Sequence, residues 1–118
     1  MVTGVWNDPY TGSTFTVASD VDIDHMVPLA DAHRSGGWQW TVATKRAYAN
    51  DLDHPETLIA VDDGTNSAKS DKSPDQWLPP NVGYRCTYAM EWVAIKATWA
   101  LTVTTPERST LASVLAGC

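Results

Sequence analysis

Residues 20–29 read DVDIDHMVPL, with Asp20, Asp22 and Asp24 on alternate positions and His25 immediately after the third. A period of two is that of a half-buried strand, so the three carboxylates share one face and Val21 and Ile23 the other. A carboxylate is a hard oxygen donor for a divalent cation, and an imidazole, with a reference pKa of about 6.5, is partly neutral at physiological pH and accepts a proton. Adjacent residues at a strand's end diverge in direction, so Asp24 can hold a cation while His25 acts beside it. Further along, Asn66 and Lys69 stand three apart and share a face of a short helix. A cation seated between the strand's end and that helix has an aspartate on one side, an amide oxygen on the other and a histidine alongside.

The elements that must position these groups are short. Residues 7–14, NDPYTGST, carry Asp-Pro and Thr-Gly turn signals, and residues 15–17 read as a strand. Pro28 opens a helical turn through Ala32, ended by RSGG at 34–37, and Thr41 caps a helix reaching about Asn50. Residues 57–61 are β-branched and apolar, a second strand. Asp62, Asp63 and Gly64 then turn the chain into the helix that holds Asn66 and Lys69, and KSP ends it at 72–74. A stripe through Tyr84, Tyr88, Trp92, Ile95 and Trp99 predicts a helix to about Ala100, and Thr105 with Pro106 starts a last one ending near Ala116. The fold class expected is α+β, mostly helical with a few short strands, as a single domain over residues 1–118.

Composition sets the outer bounds. With 118 residues, 43% apolar and 19% charged, the chain suits one globular domain with a core of its own. No stretch approaches the roughly 20 apolar residues of a membrane helix, and the start MVTGVWNDPYTG lacks the charged-then-apolar layout of a signal peptide. The formal net charge of −6 argues, unaided, against a polyanionic partner. Cys86 and Cys118 belong to no close pair, which argues against a zinc knuckle. They are either separate buried thiols or one disulfide tethering the last helix. The bridge is the expectation, because termini fray unless tied down, and an oxidising compartment goes with it.

Taken together, DIDHMVPLADA at 22–32, LIAVDDGTNSAKSDKSPDQWLPPN at 58–81 and YRCTY at 84–88 resemble the HNH superfamily of ββα-metal nucleases, within it the small secreted-type members with an Asp-His pair. The likeness extends from about Trp6 to Cys118. Asp-His followed by Val-Pro-Leu is moderately specific alone. Joined to Asn-x-x-Lys-x-Asp-Lys-x-Pro-x-x-Trp-x-Pro-Pro at this distance, it becomes strong. The same Asp-His and Asn-x-x-Lys pieces recur in the HNH domains of RNA-guided DNA nucleases.

The resemblance implies a ββα-metal (HNH) core with additional helices. It also implies a metal-dependent endonuclease that hydrolyses phosphodiester bonds, DNA before RNA, leaving 5′-phosphate and 3′-hydroxyl ends. On it, His25 activates the attacking water, Asp24 and Asn66 are the protein ligands of one divalent cation, and Lys69 holds a phosphate oxygen. Two hard oxygen donors in an otherwise wet site favour Mg²⁺ or Mn²⁺ over Ca²⁺ or Zn²⁺. Arg34, Lys72 and Arg85 are candidate substrate contacts. Gathered with the cation, they reconcile the acidic balance with a nucleic-acid partner, at the cost of modest, salt-sensitive binding. No helix is loaded with base-reading side chains, so low sequence specificity is expected. The setting expected is a secreted monomer with no membrane partner, lacking an upstream segment that relatives have. Two other readings share these residues: a non-catalytic nucleic-acid or protein-binding domain that has kept the fold, and a nuclease toxin or effector whose partner is an immunity or inhibitor protein.

Other residues have plainer readings. Asp20 and Asp22 suit the solvated face of the strand, His33 and His54 the surface, and the tryptophans the core, with only Trp38 and Trp40 candidates for exposure near a groove. Two positions depart from the family pattern. Members often carry an asparagine that ties the ββ loop just before the second strand, where this chain has Thr57. The usual glycine after the Asn-x-x-Lys lysine is Ser70, a costlier turn if the backbone there is left-handed.

Overall fold

The computed structural model describes residues 3–118; Met1 and Val2, the first residues of the MVTGVWNDPYTG start, lie outside the described residues. The chain opens with an antiparallel hairpin of β1 (Thr3–Asn7) and β2 (Thr14–Val17). β1 has no clear strand signal in the sequence, since its TGVWN carries a glycine and too little alternation. The turn signals between the two strands act as expected. The Asp8 carboxylate accepts from the backbone N–H of Tyr10 at 3.0 Å and of Thr11 at 3.2 Å, and Gly12 takes the positive φ of 79° that closes the loop.

The second hairpin carries the motif. β3 (Val21–His25) runs antiparallel to β4 (Leu58–Asp62), in a register that sets Val21 opposite Asp62 and His25 opposite Leu58. α3 (Asp63–Lys69) follows β4 with no turn between them. The expected turn at Asp62 is a cap instead: its carboxylate accepts from the backbone N–H and the hydroxyl of Thr65, at 2.9 and 2.6 Å. Strand, strand and helix thus come in the anticipated order, and α3 lies against β3 and β4. The alternation expected along β3 shows only at its centre, and there with its faces reversed, Val21 and Asp22 both being half-buried. Ile23 is 65% exposed while Asp24 is 7% exposed, because α3 and Tyr10 bring donors beneath the carboxylate face.

Four further α-helices among the described residues accompany this hairpin, two of them in the connection between its strands. α1 (Leu29–Arg34) and α2 (Val42–Ala49) fill the connection between β3 and β4, with Thr41 capping α2 by accepting from the Thr44 N–H. α4 (Arg85–Thr98) and α5 (Thr105–Ala116) pack on each other, α5 starting in a capping box of Thr104 and Glu107. The stripe on α4 buries Tyr88, Trp92 and Ile95 among Tyr10, Val61 and Leu111, so the tryptophans serve largely as core. Trp38 is the exception, 59% exposed.

A buried charge cluster locks the helices together. Lys96 on α4 reaches Asp31 on α1 and Glu107 on α5, each at 2.8 Å, and Glu107 also accepts from the Trp92 indole N–H at 2.7 Å. None of the three charged side chains is more than 2% exposed. One cation shared by two carboxylates and closed by hydrogen bonds fixes how α4 and α5 sit on α1, the helix that follows the motif. Cys86 and Cys118 form the expected disulfide, spanning 32 positions from the start of α4 to the end of α5. A loop of that length corresponds to about 3–4 kcal/mol in the chain-entropy account. Among the described residues, no helix is long and apolar enough to cross a membrane.

Candidate active site

At the C-terminal end of β3 lies an open cleft of about 350 Å³, whose walls include Asp24, His25, Leu29, Asn66, Ser70 and Asp71. Asp24 and His25 arrive on β3, Asn66 on the first turns of α3, and Leu29 on the first turn of α1. Residues 44 positions apart in the chain, from Asp22 to Asn66, therefore meet across one wall.

The imidazole of His25 is oriented by backbone. Its Nε2 lies 2.9 Å from the carbonyl oxygen of Ala49, at the end of α2. A carbonyl oxygen only accepts, so Nε2 carries the hydrogen and the neutral ring keeps its lone pair on Nδ1. The ring also stacks on Tyr48, with centroids 6.3 Å apart and planes inclined by 25°. Tyr48 is pinned in turn by a 2.6 Å hydrogen bond from its hydroxyl to the Val27 carbonyl. The half-buried imidazole thus has a defined tautomer and a fixed plane.

The loop after Ala49 is tied down around Asp51. Asp51, 6% exposed, accepts from the Asp53 N–H, from His54 and from the hydroxyl of fully buried Thr57. The Thr57 carbonyl accepts from the Met26 N–H, next to His25. Thr57 therefore ties this loop to β3, with Asp51 as its side-chain partner. Burial acts to raise the Asp51 carboxyl, but the His54, Asp53 and Thr57 donors outweigh it and hold the group below its ordinary value.

Asp24 is braced from below. The buried Tyr10 hydroxyl donates to its Oδ2 at 2.7 Å, and the Lys69 ammonium lies 3.1 Å from the same oxygen. Lys69 is fully buried and also donates to the His25 carbonyl at 3.2 Å. Burial pushes Asp24 up and Lys69 down; their mutual attraction opposes both shifts, and the Tyr10 hydrogen bond opposes that of Asp24. The phenol of Tyr10 is driven far above its ordinary value by burial, then by Tyr88 and Asp24, and so stays a donor. Lys69 thus contacts Asp24 and the His25 backbone rather than solvent.

Asn66 donates from Nδ2 to Asp22 at 3.2 Å. That contact settles which end of the amide is nitrogen and leaves its Oδ1 without a protein donor among the described residues. Asp22, expected on a solvated face, is half-buried and pairs with α3. It also faces Asp63, whose carboxyl is raised by that shared contact and by the charge of Asp22. The donors offered to a cation are hard oxygens: Asp24, the Asn66 amide oxygen and, beside them, Asp22. No cluster of three His, Cys, Asp or Glu side chains suited to a metal occurs among the described residues. The set fits an ion that keeps most of its waters, as Mg²⁺ and Mn²⁺ do, better than a closed zinc cage.

The candidate substrate contacts divide. Arg34 stands at the rim, its guanidinium on the carboxylate and carbonyl of the cleft residue Asp71, at 3.3 and 2.7 Å. Lys72 is exposed just past α3, its ammonium on the Ala68 carbonyl. Arg85 lies outside the cleft and donates from Nε to the Pro79 carbonyl at 2.8 Å. His33 is exposed, and His54 belongs to the Asp51 loop. Tyr10, Asp22 and Asp51 have places in the site that motif spacing did not single out. The signal for Tyr10 was the DPYTG turn, which Asn81 of the WLPPN segment secures by bonding Pro9 and Tyr10.

Residues 1–114 match the model of the family described as GmrSD restriction endonucleases, C-terminal domain. The chain belongs to that family. A protein of Arthroderma benhamiae named as an uncharacterized secreted protein is 49% identical over 115 residues, which is 98% of this chain and 56% of that relative. The chain thus spans about half the length of the relative. No solved structure matches. The secreted relative and the disulfide both agree with an extracellular setting.

Proposed function

We infer that this domain is a metal-dependent endonuclease of the HNH, or ββα-metal, kind, hydrolysing phosphodiester bonds of nucleic acid outside the cell. DNA is the preferred substrate, and the products carry 5′-phosphate and 3′-hydroxyl ends. The observation that carries the reading is the His25 ring, held through Nε2 with Nδ1 left as the basic nitrogen, in one cleft with Asp24 and Asn66. Membership of a restriction-endonuclease family supports the reaction class.

Each residue has a task. His25 takes the proton of the attacking water at Nδ1. Asp24 and the Asn66 amide oxygen hold a Mg²⁺ or Mn²⁺ ion, which when bound supplies Lewis-acid stabilisation to the phosphoryl group and the departing 3′ oxygen. Tyr10 and Lys69 hold the Asp24 carboxylate in place, and Lys69 partly balances its charge. Asp22 orients the Asn66 amide. Arg34 and Lys72, at the rim, meet backbone phosphates. Phosphate contacts carry no base information, which gives low sequence specificity. With a net charge of −6, binding is modest and weakens as salt rises.

Relaxation of supercoiled plasmid in Mg²⁺ or Mn²⁺, with and without EDTA, tests this directly. Nicking that EDTA abolishes is the expected result, with Asn66→Ala needing more Mn²⁺ than the parent. A folded protein that nicks neither plasmid nor oligonucleotide in either metal overturns the reading.

A further inference from the structure

A second concavity, of about 250 Å³, lies on the flank of His25, lined by Leu29, Ala32, Trp40 and Tyr48, with His33 and Lys45 as its polar members. Three features join it to the cleft. Leu29 lines both, Tyr48 stacks on the His25 ring from the concavity's own wall, and Ala49, whose carbonyl holds His25, lines it as well.

The concavity is built rather than left over. The Tyr48 hydroxyl is fixed on Val27, and the Trp40 ring sits 5.4 Å from Tyr48 and 5.7 Å from Trp99, so both aromatic walls are braced. Gly37 keeps the floor close: a Cβ there comes within 2.7 Å of the Ala32 carbonyl oxygen and 3.2 Å of the Trp40 ring. Its volume falls below the roughly 300–1,000 Å³ of pockets for drug-sized ligands and suits one planar ring system.

Charge names the kind of molecule that carries the ring. The protein is acidic, yet α2 contributes Lys45 and Arg46, both exposed, and no carboxylate. Asp31, the acid of α1, is buried against Lys96 and turned away from solvent. An aromatic slot with a cationic flank suits a base attached to a phosphate backbone.

We propose that this concavity receives a nucleobase unstacked from the strand being cut, beside the scissile phosphate, with the half-buried Trp40 ring against the base, buried Tyr48 backing the slot and Lys45 on an adjoining phosphate. The proposal rests on the nuclease reading for where the scissile phosphate lies. Its consequence is a preference for single-stranded or locally unpaired nucleic acid over intact duplex, because a paired base has to leave its stack to enter.

The test uses binding without cutting, so it is separate from the plasmid assay. The His25→Ala protein is titrated in EDTA against a short fluorescein-labelled single-stranded oligodeoxynucleotide by anisotropy, alongside its duplex and a series with one abasic site stepped along the strand. Single strand binds more tightly than duplex, and one abasic position weakens binding about tenfold. That position-specific loss vanishes in His25→Ala/Trp40→Leu. Replacing exposed Lys45 by Ala, which leaves the core untouched, weakens the intact strand and lowers the slope of log affinity against log salt by about one. Equal affinity for intact and abasic strands, tighter binding of duplex, or no binding at all overturns the proposal. A wild type that cuts nothing, paired with a variant that still discriminates the abasic position, sinks the nuclease reading and leaves the base site standing.

Discussion

Nε2 of His25 and the carbonyl oxygen of Ala49 are 2.9 Å apart, and that one contact assigns the imidazole its tautomer. It follows that Nδ1 is the nitrogen able to accept a proton. His25→Ala is expected to lower kcat by about 10²–10⁴-fold, the worth of a positioned general base. Stability should change little, since the ring is only half-buried. Turnover on a labelled oligonucleotide, read beside the unfolding midpoint, checks both. Long-range ¹H–¹⁵N correlation of the ring should find the neutral form protonated at Nε2; protonation at Nδ1 contradicts the base assignment.

Lys69 and Asp24 make a buried pair whose members depend on each other. Lys69→Met leaves the Asp24 carboxylate without its countercharge and should destabilise the fold by about 3–5 kcal/mol. Lys69→Met with Asp24→Asn removes the stranded charge and should recover a good part of that loss. Urea unfolding of both proteins measures the difference. Equal stability of the single and double variants shows that Lys69 is not balancing Asp24.

The residues that were legible in the sequence are those whose chemistry sits on a fixed spacing. Asp24 and His25 are neighbours, Asn66 and Lys69 are one turn apart, and pairing the alternating stretch 21–25 with the largely apolar 58–62 brings them together. Period-two alternation, by contrast, says that a strand has two faces without saying which is covered. Here the polar face is the covered one, because Tyr10 and Lys69 reach beneath it from other elements. The Ala49 carbonyl could not be read at all, since every residue has one and only the packing of α2 selects it. The Lys96, Asp31 and Glu107 cluster was hidden for a related reason: each is an ordinary helix charge until three helices converge.

Ser70 occupies φ 51° and ψ −131°, directly after α3, a conformation in which a Cβ is strained. A glycine there would carry no such strain. Ser70→Gly is therefore expected to stabilise the protein by about 1 kcal/mol. A higher urea midpoint at unchanged m-value is the readout, and a lower midpoint shows that the serine side chain contributes more than its backbone costs.

Acid should loosen the site through Asp51, and the sign follows from the direction of its shift. Burial raises this carboxyl, but His54, the Asp53 N–H and Thr57 together bring it below the ordinary 3.8. Asp62, the cap of α3, is lowered likewise, by the hydroxyl and N–H of Thr65. A carboxylate whose folded pKa lies below its unfolded one binds fewer protons when folded. Its stabilisation is fully present above the unfolded value, shrinks as pH falls below that value and is gone once pH has passed the folded one. Unfolding free energy should accordingly decline below about pH 4, near the reference carboxylate values. Asp51→Asn keeps the side chain's size and loses its share of that decline. Because Asp51 ties down the loop between Ala49 and Thr57, the variant should also loosen the His25 ring at neutral pH, seen as faster exchange of its Nε2 hydrogen. Parallel stability-against-pH curves for parent and variant between pH 2 and 5, the window set by reference carboxylate values of about 4, show that Asp51 is not the group titrating.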